Sequence, residues 1–354
     1  MIWLEPGTSW WPLDSPDVNE EVSREAEERR VFCVRSDDAE AATAWTPASG
    51  RHGPLTVAVL GSRDPIRSAA VRDEIVNRLR SGEIAAPKDR VRVPGVVLVG
   101  GGPGDPDLIT VAGRRALQEA DVVVADRLAP RDLLAELAPD VELIDATKLP
   151  RGRSANQADI NAVMIELALA GKNVVRFKGG DSFVFGRGFE ELLACTAAGV
   201  PCRMFPGVSS SLAAPALAGV PLTHRGVAHD FTVVSGHLPP GHPDSLVEWP
   251  ALARLRGTLV LLMAIGNLEA ISLALTANGK DQKTPVAVVQ NGSPSSQRVL
   301  FSTLAAVAAE VATHSVRPPA VVVIGDVVAV ADSVSATRRN GATREGGQSM
   351  MTSG

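Results

Sequence analysis

Short apolar runs alternate with helical patterns through the middle of the chain. The first of these runs is rich in valine, and the runs occupy residues 96–99, 122–125, 141–145, 173–177 and 201–205. Continuous β-branched runs suit strands that are buried on both faces of a parallel sheet. Helical patterns lie between them after Thr110, near 130–137, at 157–170 and at 189–198. The alternation predicts an α/β fold whose sheet is covered by helices on both faces.

The pattern changes after residue 207, where strands and helices no longer alternate regularly. Five further strands are predicted at 231–235, 258–263, 285–290, 297–302 and 320–324. Helical patterns at 268–277 and 304–312 lie between some of them. We therefore expect a first α/β lobe over 95–207 and a second over 208–330. Residues 331–354 are polar and rich in glycine, a composition typical of a disordered tail.

The N-terminal quarter of the chain predicts a smaller α/β piece. Residues 1–16 show no periodicity and are expected to be irregular. A charged, helix-prone stretch at 19–30 precedes predicted strands at 31–34 and 55–60, and an amphipathic helix at 67–80 ends near Gly82. Charges and two prolines follow, as in a linker. Residues 17–90 thus form a partial domain and a linker.

Composition and charge exclude several classes of function. The net charge of -5 and the pI of about 5.8 give no electrostatic footprint for nucleic acid. The three cysteines have no metal-type spacing, which favours a reducing compartment. No apolar run is long enough to span a bilayer, and the N-terminus does not resemble a signal peptide. We expect a cytoplasmic protein with neither a nucleic-acid nor a membrane partner.

A glycine-rich loop follows the apolar run at 96–99 and is the most distinctive stretch of the chain. Residues 100–105 read GGGPGD, which lacks the third glycine of G-x-G-x-x-G and the Gly-Lys-Ser/Thr of a P-loop. Pro103 removes a backbone donor, and Asp105 places negative charge where a phosphate would need positive charge. The loop therefore favours a neutral or cationic ligand over a polyphosphate.

Charged residues follow other predicted strands, where ligands of open α/β sheets bind. Residues 178–188 carry four glycines that bracket Lys178, Asp181 and Arg187, and this density favours a functional site over an ordinary turn. Asp126 also follows a strand, but an isolated aspartate is as readily a helix cap or a surface ion pair. Lys148 follows the predicted strand at 141–145, and it is as readily a solvated surface lysine as a functional one. Histidines at 224, 229 and 237 lack a metal-ligand pattern.

Six short motifs, taken in order, resemble the tetrapyrrole methylase family across residues 95–330, and most closely the members that methylate uroporphyrinogen III. They are VGGGPGD at 99–105, DVVVADR at 121–127, VRFKGGDSFVFGR at 175–187, PGVS at 206–209, PLTHR at 221–225 and QNG at 290–292. The resemblance implies a fold of two α/β lobes with a cleft between them. It also implies a homodimer that uses S-adenosyl-L-methionine, a cation, and holds no metal.

The resemblance assigns roles to residues of this sequence. Asp126 is implied as the proton acceptor and Lys148 as a proton donor. The implied cofactor contacts are Pro103, Gly179, Gly180, Asp181, Val184, Ser209, Ser210, Met263 and Gly292. Uroporphyrinogen III carries eight carboxylates, and the basic residues expected to bind them are Arg127, Arg176, Lys178, Arg187 and Arg225.

The N-terminal piece resembles the latter part of the dehydrogenase–ferrochelatase domain of sirohaem synthases. The motifs RRVFC at 29–33 and PLTVAV at 54–59 carry this likeness, and Asp37 falls near that domain's active aspartate. In that domain the first βα unit carries the glycine fingerprint for NAD. This unit has no counterpart ahead of Asn19, so we expect no NAD binding. A bifunctional sirohaem synthase, a methylase of a later corrin intermediate and a non-catalytic binding protein are the alternatives.

Overall fold

The computed structural model describes most of the chain, and its described residues fall into two compact units within Met1–Asp89 and Arg90–Gly354. The described residues are 15–30, 33–34, 42, 45–61, 64–84, 93–148 (without the side chain of Lys148), 157–292 and 296–334. Asp37, residues 1–14 and most of the predicted linker lie outside them. Within the described ranges, no helix is both long enough and apolar enough to cross a membrane.

The N-terminal unit contains two helices and a hairpin: α1 (Pro16–Glu28), β1 (Ala48–His52), β2 (Leu55–Val59) and α2 (Pro65–Ser81). The two strands pair antiparallel, and α2 packs against them. Asp64 caps α2 by accepting from the Arg67 amide, and Gly82 ends it with a φ of 82°. The predicted β2 and α2 are confirmed. Strand β1 was not predicted because it carries no apolar alternation.

The first lobe of the second unit is built on a five-stranded parallel sheet. Its strands are β3 (Gly95–Gly100), β4 (Val122–Ala125), β5 (Glu142–Asp145), β6 (Asn173–Lys178) and β7 (Cys202–Phe205). Their order in the sheet is β5-β4-β6-β3-β7, and every pairing is parallel. Every residue of β3, β4 and β6 is buried. The predicted parallel sheet is therefore confirmed.

Helices cover both faces of this sheet, as the alternation predicted. They are α3 (Val111–Glu119), α4 (Arg131–Ala135), α5 (Gln157–Leu169) and α6 (Gly188–Ala197). On one face Val99 and Phe177 of the sheet share a core with Leu117 of α3. On the other face Leu98 shares a core with Met164 of α5. The central strands β3, β4 and β6 therefore have no solvent-facing side, which explains why their apolar runs are continuous rather than alternating.

The second lobe carries a mixed five-stranded sheet in the order β11-β10-β12-β9-β8. Its elements are α7 (Ser210–Leu217), β8 (Phe231–Ser235), α8 (Trp249–Arg254), β9 (Thr258–Leu262), α9 (Leu268–Ala277), β10 (Pro285–Gln290), β11 (Arg298–Thr303), α10 (Val307–Thr313) and β12 (Ala320–Ile324). Strands β8 and β9 are parallel, whereas the other pairings are antiparallel. All five predicted strands are confirmed. Helices α7 and α8 were not predicted, since α7 contains Pro215 and α8 is only 6 residues long.

The last described helix crosses the boundary that the sequence predicted at residue 331. Residues 327–334 form a helix, and Val327, Val328 and Ala331 are buried beside Val323 of β12. Apolar residues at this helical spacing continue the core of the second lobe. The boundary at 331 was therefore wrong, because the polar composition begins only after this apolar face. Residues 335–354 lie outside the described part.

Candidate active site

A cavity of about 600 Å³ lies where the two lobes of the second unit meet. The first lobe contributes Asp126 after β4, Lys178 at the end of β6 and the loop that follows β6. The second lobe contributes the start of α7 and residues that follow β9 and β10 and precede β12. Most of the predicted site residues line this cavity: Pro103, Asp126, Arg127, Arg176, Lys178, Gly179, Gly180, Asp181, Val184, Arg187, Ser209, Ser210, Met263 and Gly292. The motifs therefore converge on one site.

Two predicted site residues are not placed there by the structure. Arg225 is exposed in the turn between His224 and Ala228, and it does not line the cavity. The side chain of Lys148 lies outside the described residues, although its neighbour Thr147 lines the cavity. The histidines hold no metal site either, since the described residues contain no cluster of metal-binding side chains.

The glycines beside the cavity allow three loops to pack backbone to backbone. Gly102 and Gly180 exchange two hydrogen bonds, with Gly180 N donating to Gly102 O at 2.6 Å and Gly102 N to Gly180 O at 3.2 Å. A Cβ on Gly207 would lie 2.2 Å from the Gly180 oxygen. Only glycine fits such a contact. Part of the glycine-rich sequence thus serves loop packing rather than ligand contact.

Asp181 ties two of these loops together. Its carboxylate accepts from the Phe183 amide at 2.8 Å and from the Gly207 amide at 3.0 Å. Carboxylate hydrogen bonds to backbone N–H groups are among the stronger ones in proteins. Asp181 therefore lines the cavity and also sets the distance between the loop after β6 and the loop after β7.

Arg176 is buried beneath the cavity, and the protein itself engages all three nitrogens of its guanidinium. Its side chain is 2% exposed. Nε donates to Glu191 Oε1 at 2.9 Å, Nη1 to the Val124 carbonyl at 3.1 Å, and Nη2 to Asp126 Oδ1 at 2.5 Å. The resemblance predicts that Arg176 holds a substrate carboxylate or orients the ring, and Arg176 does line the cavity. Its contacts within the protein also fix Asp126.

Lys178 and Glu191 complete a buried network of charges. Lys178 Nζ lies 3.0 Å from Glu191 Oε1 and 4.0 Å from Asp126 Oδ2. Burial lowers the pKa of Lys178 below its ordinary value, and Arg176 lowers it further, whereas the carboxylates of Glu191 and Asp126 raise it. Glu191 is fully buried. Four charges of alternating sign thus compensate one another in a site with little solvent.

Glu191 was missed by the sequence analysis, although a signal for it was present. The buried positions of α6 are Gly188, Glu191 and Cys195, which are spaced by three and four residues. Glu191 therefore lies on the core-facing stripe of a helix, where a charged residue is rare unless it is paired. A carboxylate on the apolar face of a predicted helix is a marker of a buried ion pair.

Asp126 faces the cavity at the end of β4. Its side chain is 31% exposed, and its Oδ1 is held by Arg176. The parallel register that pairs Ala125 with Phe177 brings Asp126 beside Lys178. Asp126 is therefore neither a helix cap nor a surface ion pair. It is a carboxylate fixed through one oxygen and accessible from the cavity, which is suited to accepting a proton.

The second lobe forms the opposite wall, and its described lining residues are uncharged. Met263 and Asn291 adopt left-handed backbone conformations, with φ of 56° and 58°. Gly292 approaches the other lobe so closely that a Cβ there would lie 2.3 Å from the Pro103 oxygen. Strain of this kind is typical of functional sites. The wall offers backbone groups and apolar surface to a ligand.

Comparisons with known proteins identify the family. Residues 95–308 match the family of Tetrapyrrole (Corrin/Porphyrin) Methylases. The uroporphyrinogen-III C-methyltransferase of Methanocaldococcus jannaschii is 45% identical over 240 residues, which are 67% of this chain and 98% of that protein. The siroheme synthase of Xylella fastidiosa is 34% identical, and the match covers 94% of this chain and 80% of that protein.

The solved structures show the same fold. A crystal structure of the uroporphyrin-III C-methyltransferase of Thermus thermophilus, complexed with S-adenyl homocysteine, is 40% identical with a TM-score of 0.57. That match covers 67% of this chain and 99% of the Thermus chain. A cobalt precorrin-4 methyltransferase is 25% identical with a TM-score of 0.60, and the match covers 69% of this chain and 99% of that one.

Proposed function

Because the chain belongs to the tetrapyrrole methylase family, we propose that it methylates uroporphyrinogen III with S-adenosyl-L-methionine. The product is precorrin-2, formed by way of precorrin-1, which serves sirohaem or cobalamin biosynthesis. One observation carries this proposal: Asp126, fixed by the buried Arg176, faces the same cavity that the cofactor motifs line. A proton acceptor and a cofactor site thus lie in one cavity.

The residues that line the cavity support the binding of this cofactor. Its proposed contacts are the residues of the resemblance that line the cavity, namely Pro103, Gly179, Gly180, Asp181, Val184, Ser209, Ser210, Met263 and Gly292. The wall of the second lobe carries no positive charge that would repel a sulfonium. When bound, the cofactor supplies an electrophilic methyl group. The loops contribute by holding it in line with the reacting carbon, since positioning of this kind lowers barriers by up to about 7–11 kcal/mol.

Proton transfer and substrate binding fall to separate residues. Asp126 accepts the proton that the methylated ring must lose, and Lys148 is proposed as a donor. Arg127 and Arg187 are exposed at the cavity and are proposed to bind substrate carboxylates. Arg225 is proposed for the same task on the resemblance alone.

The direct test is incubation of the purified chain with uroporphyrinogen III and methyl-labelled S-adenosylmethionine, followed by mass analysis. We expect incorporation of two labelled methyl groups. A parallel incubation with a precorrin tests the alternative of a later corrin methylase. Methylation of the precorrin without methylation of uroporphyrinogen III would overturn the proposal.

We also propose that the chain binds S-adenosylhomocysteine but not NAD. The strands β1 and β2 of the N-terminal unit pair antiparallel, whereas dinucleotide sites are built at the ends of parallel strands. NAD binding needs a test because the match to a siroheme synthase extends over 94% of this chain and so includes the N-terminal unit. Calorimetry decides it, and micromolar binding of NAD would favour a bifunctional enzyme.

A cytoplasmic homodimer is the proposed state of the protein. Four large apolar side chains close together in sequence are 44–57% exposed, namely Phe183, Phe185, Phe189 and Leu193. The rings of Phe183 and Phe189 stack edge to face with centroids 5.8 Å apart. Exposed apolar groups of this size are typical of interfaces, and the three cysteines form no disulfide bond, as in reducing compartments. A monomer in light scattering at micromolar concentration would contradict the dimer.

A further inference from the structure

The carboxylate of Glu191 is shared by three donors. Its Oε1 accepts from Arg176 Nε at 2.9 Å, from Lys178 Nζ at 3.0 Å and from Gln157 Nε2 at 3.1 Å. Glu191 is 0% exposed and does not line the cavity. It therefore lies behind the residues that face the reaction and touches no ligand.

Two neighbouring cations make this carboxylate necessary. Arg176 and Lys178 are two residues apart on β6, so their side chains leave the same face of the sheet. Both are buried, and like charges this close repel each other. Glu191 contacts both head groups more closely than Asp126 contacts Lys178, so it offsets much of this repulsion and holds both head groups at fixed positions.

The hydrogen bonding of the two Glu191 oxygens is uneven, which indicates that Glu191 serves to hold its three donors. Glu191 Oε2 is buried and has no hydrogen-bond partner among the described residues. A carboxylate placed for its own stability would satisfy both oxygens, because an unpartnered buried acceptor costs free energy. All three donors instead meet at Oε1, on the side where Asp126 is held.

The position of Asp126 depends on this arrangement. With Nε held by Glu191, the planar guanidinium of Arg176 presents Nη2 to Asp126 Oδ1. With Nζ held by Glu191, Lys178 remains 4.0 Å from Asp126 Oδ2. We infer that Glu191 is a positioning residue that orients Arg176 and Lys178 and thereby fixes Asp126 for proton transfer. This inference rests on the proposed methyltransferase function.

The test is Glu191→Gln, which keeps the shape of the side chain and removes its charge. We expect kcat to fall about 10- to 100-fold, because small displacements of a reacting group have effects of this size. KM for uroporphyrinogen III and the Kd of S-adenosylhomocysteine should stay within about twofold of wild type. Glu166→Gln, on the exposed face of α5, is the matched control and should behave as wild type.

The pH profile separates positioning from a merely structural role. Lys178 faces Arg176 on its own strand, Asp126 after β4 and Glu191 on α6, with Glu190 at longer range and the uncharged Gln157 on α5. Glu191 raises the pKa of Lys178, so its loss lets the ammonium deprotonate at lower pH. In this inference the charged Lys178 beside Asp126 is needed for turnover, so its deprotonation sets the alkaline limb of kcat. We expect this limb to move to lower pH in Glu191→Gln and to stay in place in Glu166→Gln.

A second variant covers the case in which Glu191→Gln does not fold. Glu191→Asp keeps the charge but is one methylene shorter, so it cannot reach both cations. We expect a reduced kcat with the alkaline limb near its wild-type pH. A normal kcat in either folded variant, or a loss of kcat with an unmoved limb in Glu191→Gln, would overturn the inference. An inactive wild-type chain would instead overturn the proposed function.

Discussion

The two lobes around the cavity contribute different chemistry because their sheets differ in direction. In the first lobe all strands are parallel, so their carboxyl ends meet at one edge and side chains such as Asp126 and Lys178 converge there. In the second lobe β12 runs antiparallel to β9 and β10, so carboxyl and amino ends alternate. That lobe contributes backbone and apolar surface from connecting segments. The parallel sheet thus brings charged side chains together at one edge, whereas the mixed sheet contributes an uncharged wall to the cavity.

This contrast implies a division of labour. Changes in the first lobe should alter turnover and stability, because its charges are buried and paired. Changes in the wall of the second lobe should alter cofactor affinity. The variants below test this division in order of expected effect.

Asp126→Ala should have the largest effect. Loss of a general base lowers turnover by about 10²–10⁴-fold, and the Kd of S-adenosylhomocysteine should change little. Steady-state rates and calorimetry measure the two quantities. Asp132→Ala, on the exposed surface of α4, is the control. Turnover near wild type would remove the assigned base, and an equal loss of cofactor binding would make the role of Asp126 structural.

Arg176→Leu should mainly destabilise the fold. It removes one of the two cations that Glu191 and Asp126 share, and removal of one member of a buried ion pair costs about 3–5 kcal/mol. Urea denaturation of wild type and variant measures the loss of unfolding free energy. Arg203→Leu, exposed on the edge strand β7 of the same sheet, should cost far less. Equal losses of unfolding free energy at the two positions would show that the buried ion pairs of Arg176 add no stability beyond that of an exposed arginine.

Gly292→Ala tests the wall of the second lobe. The added methyl group would lie 2.3 Å from the Pro103 oxygen, so the loops must separate. Overpacking of this kind costs roughly 1–3 kcal/mol, and we expect cofactor affinity to fall about tenfold. At saturating cofactor, kcat should stay near wild type because Asp126 and its buried partners are not among the atoms that the methyl group meets. A fall in kcat without a change in affinity would contradict the division between the lobes.

Arg187→Ala should have the smallest effect. Arg187 lies at the cavity but is exposed, and its guanidinium also pairs with Glu190 at 2.7 Å. Solvent weakens such contacts, so we expect KM for uroporphyrinogen III to rise only several-fold with kcat unchanged. Kinetics at varied ionic strength provide the measurement, since added salt should reduce the difference from wild type. A KM that is unchanged at low salt would remove Arg187 from the substrate site.

The sequence by itself determined the strands of both large sheets and the family. Strands buried on both faces must be continuously apolar, so β3, β4 and β6 were visible as valine-rich runs. The glycine motifs were visible because backbone contacts as close as that between Gly180 and Gly207 admit no side chain. Requirements of this kind act on a few neighbouring residues, so they can be recognised in a short stretch of sequence.

Only the tertiary structure decided how the charges are used. Arg176 contacts Asp126, 50 residues away, and Glu191, 15 residues away. Contacts at these separations correspond to no helix or strand periodicity that could be recognised in the sequence. These contacts follow from the parallel register of β4 and β6 and from the packing of α6 on the sheet. The contact of Arg176 with Asp126 was therefore invisible in the sequence, because burial and partners are properties of the assembled fold.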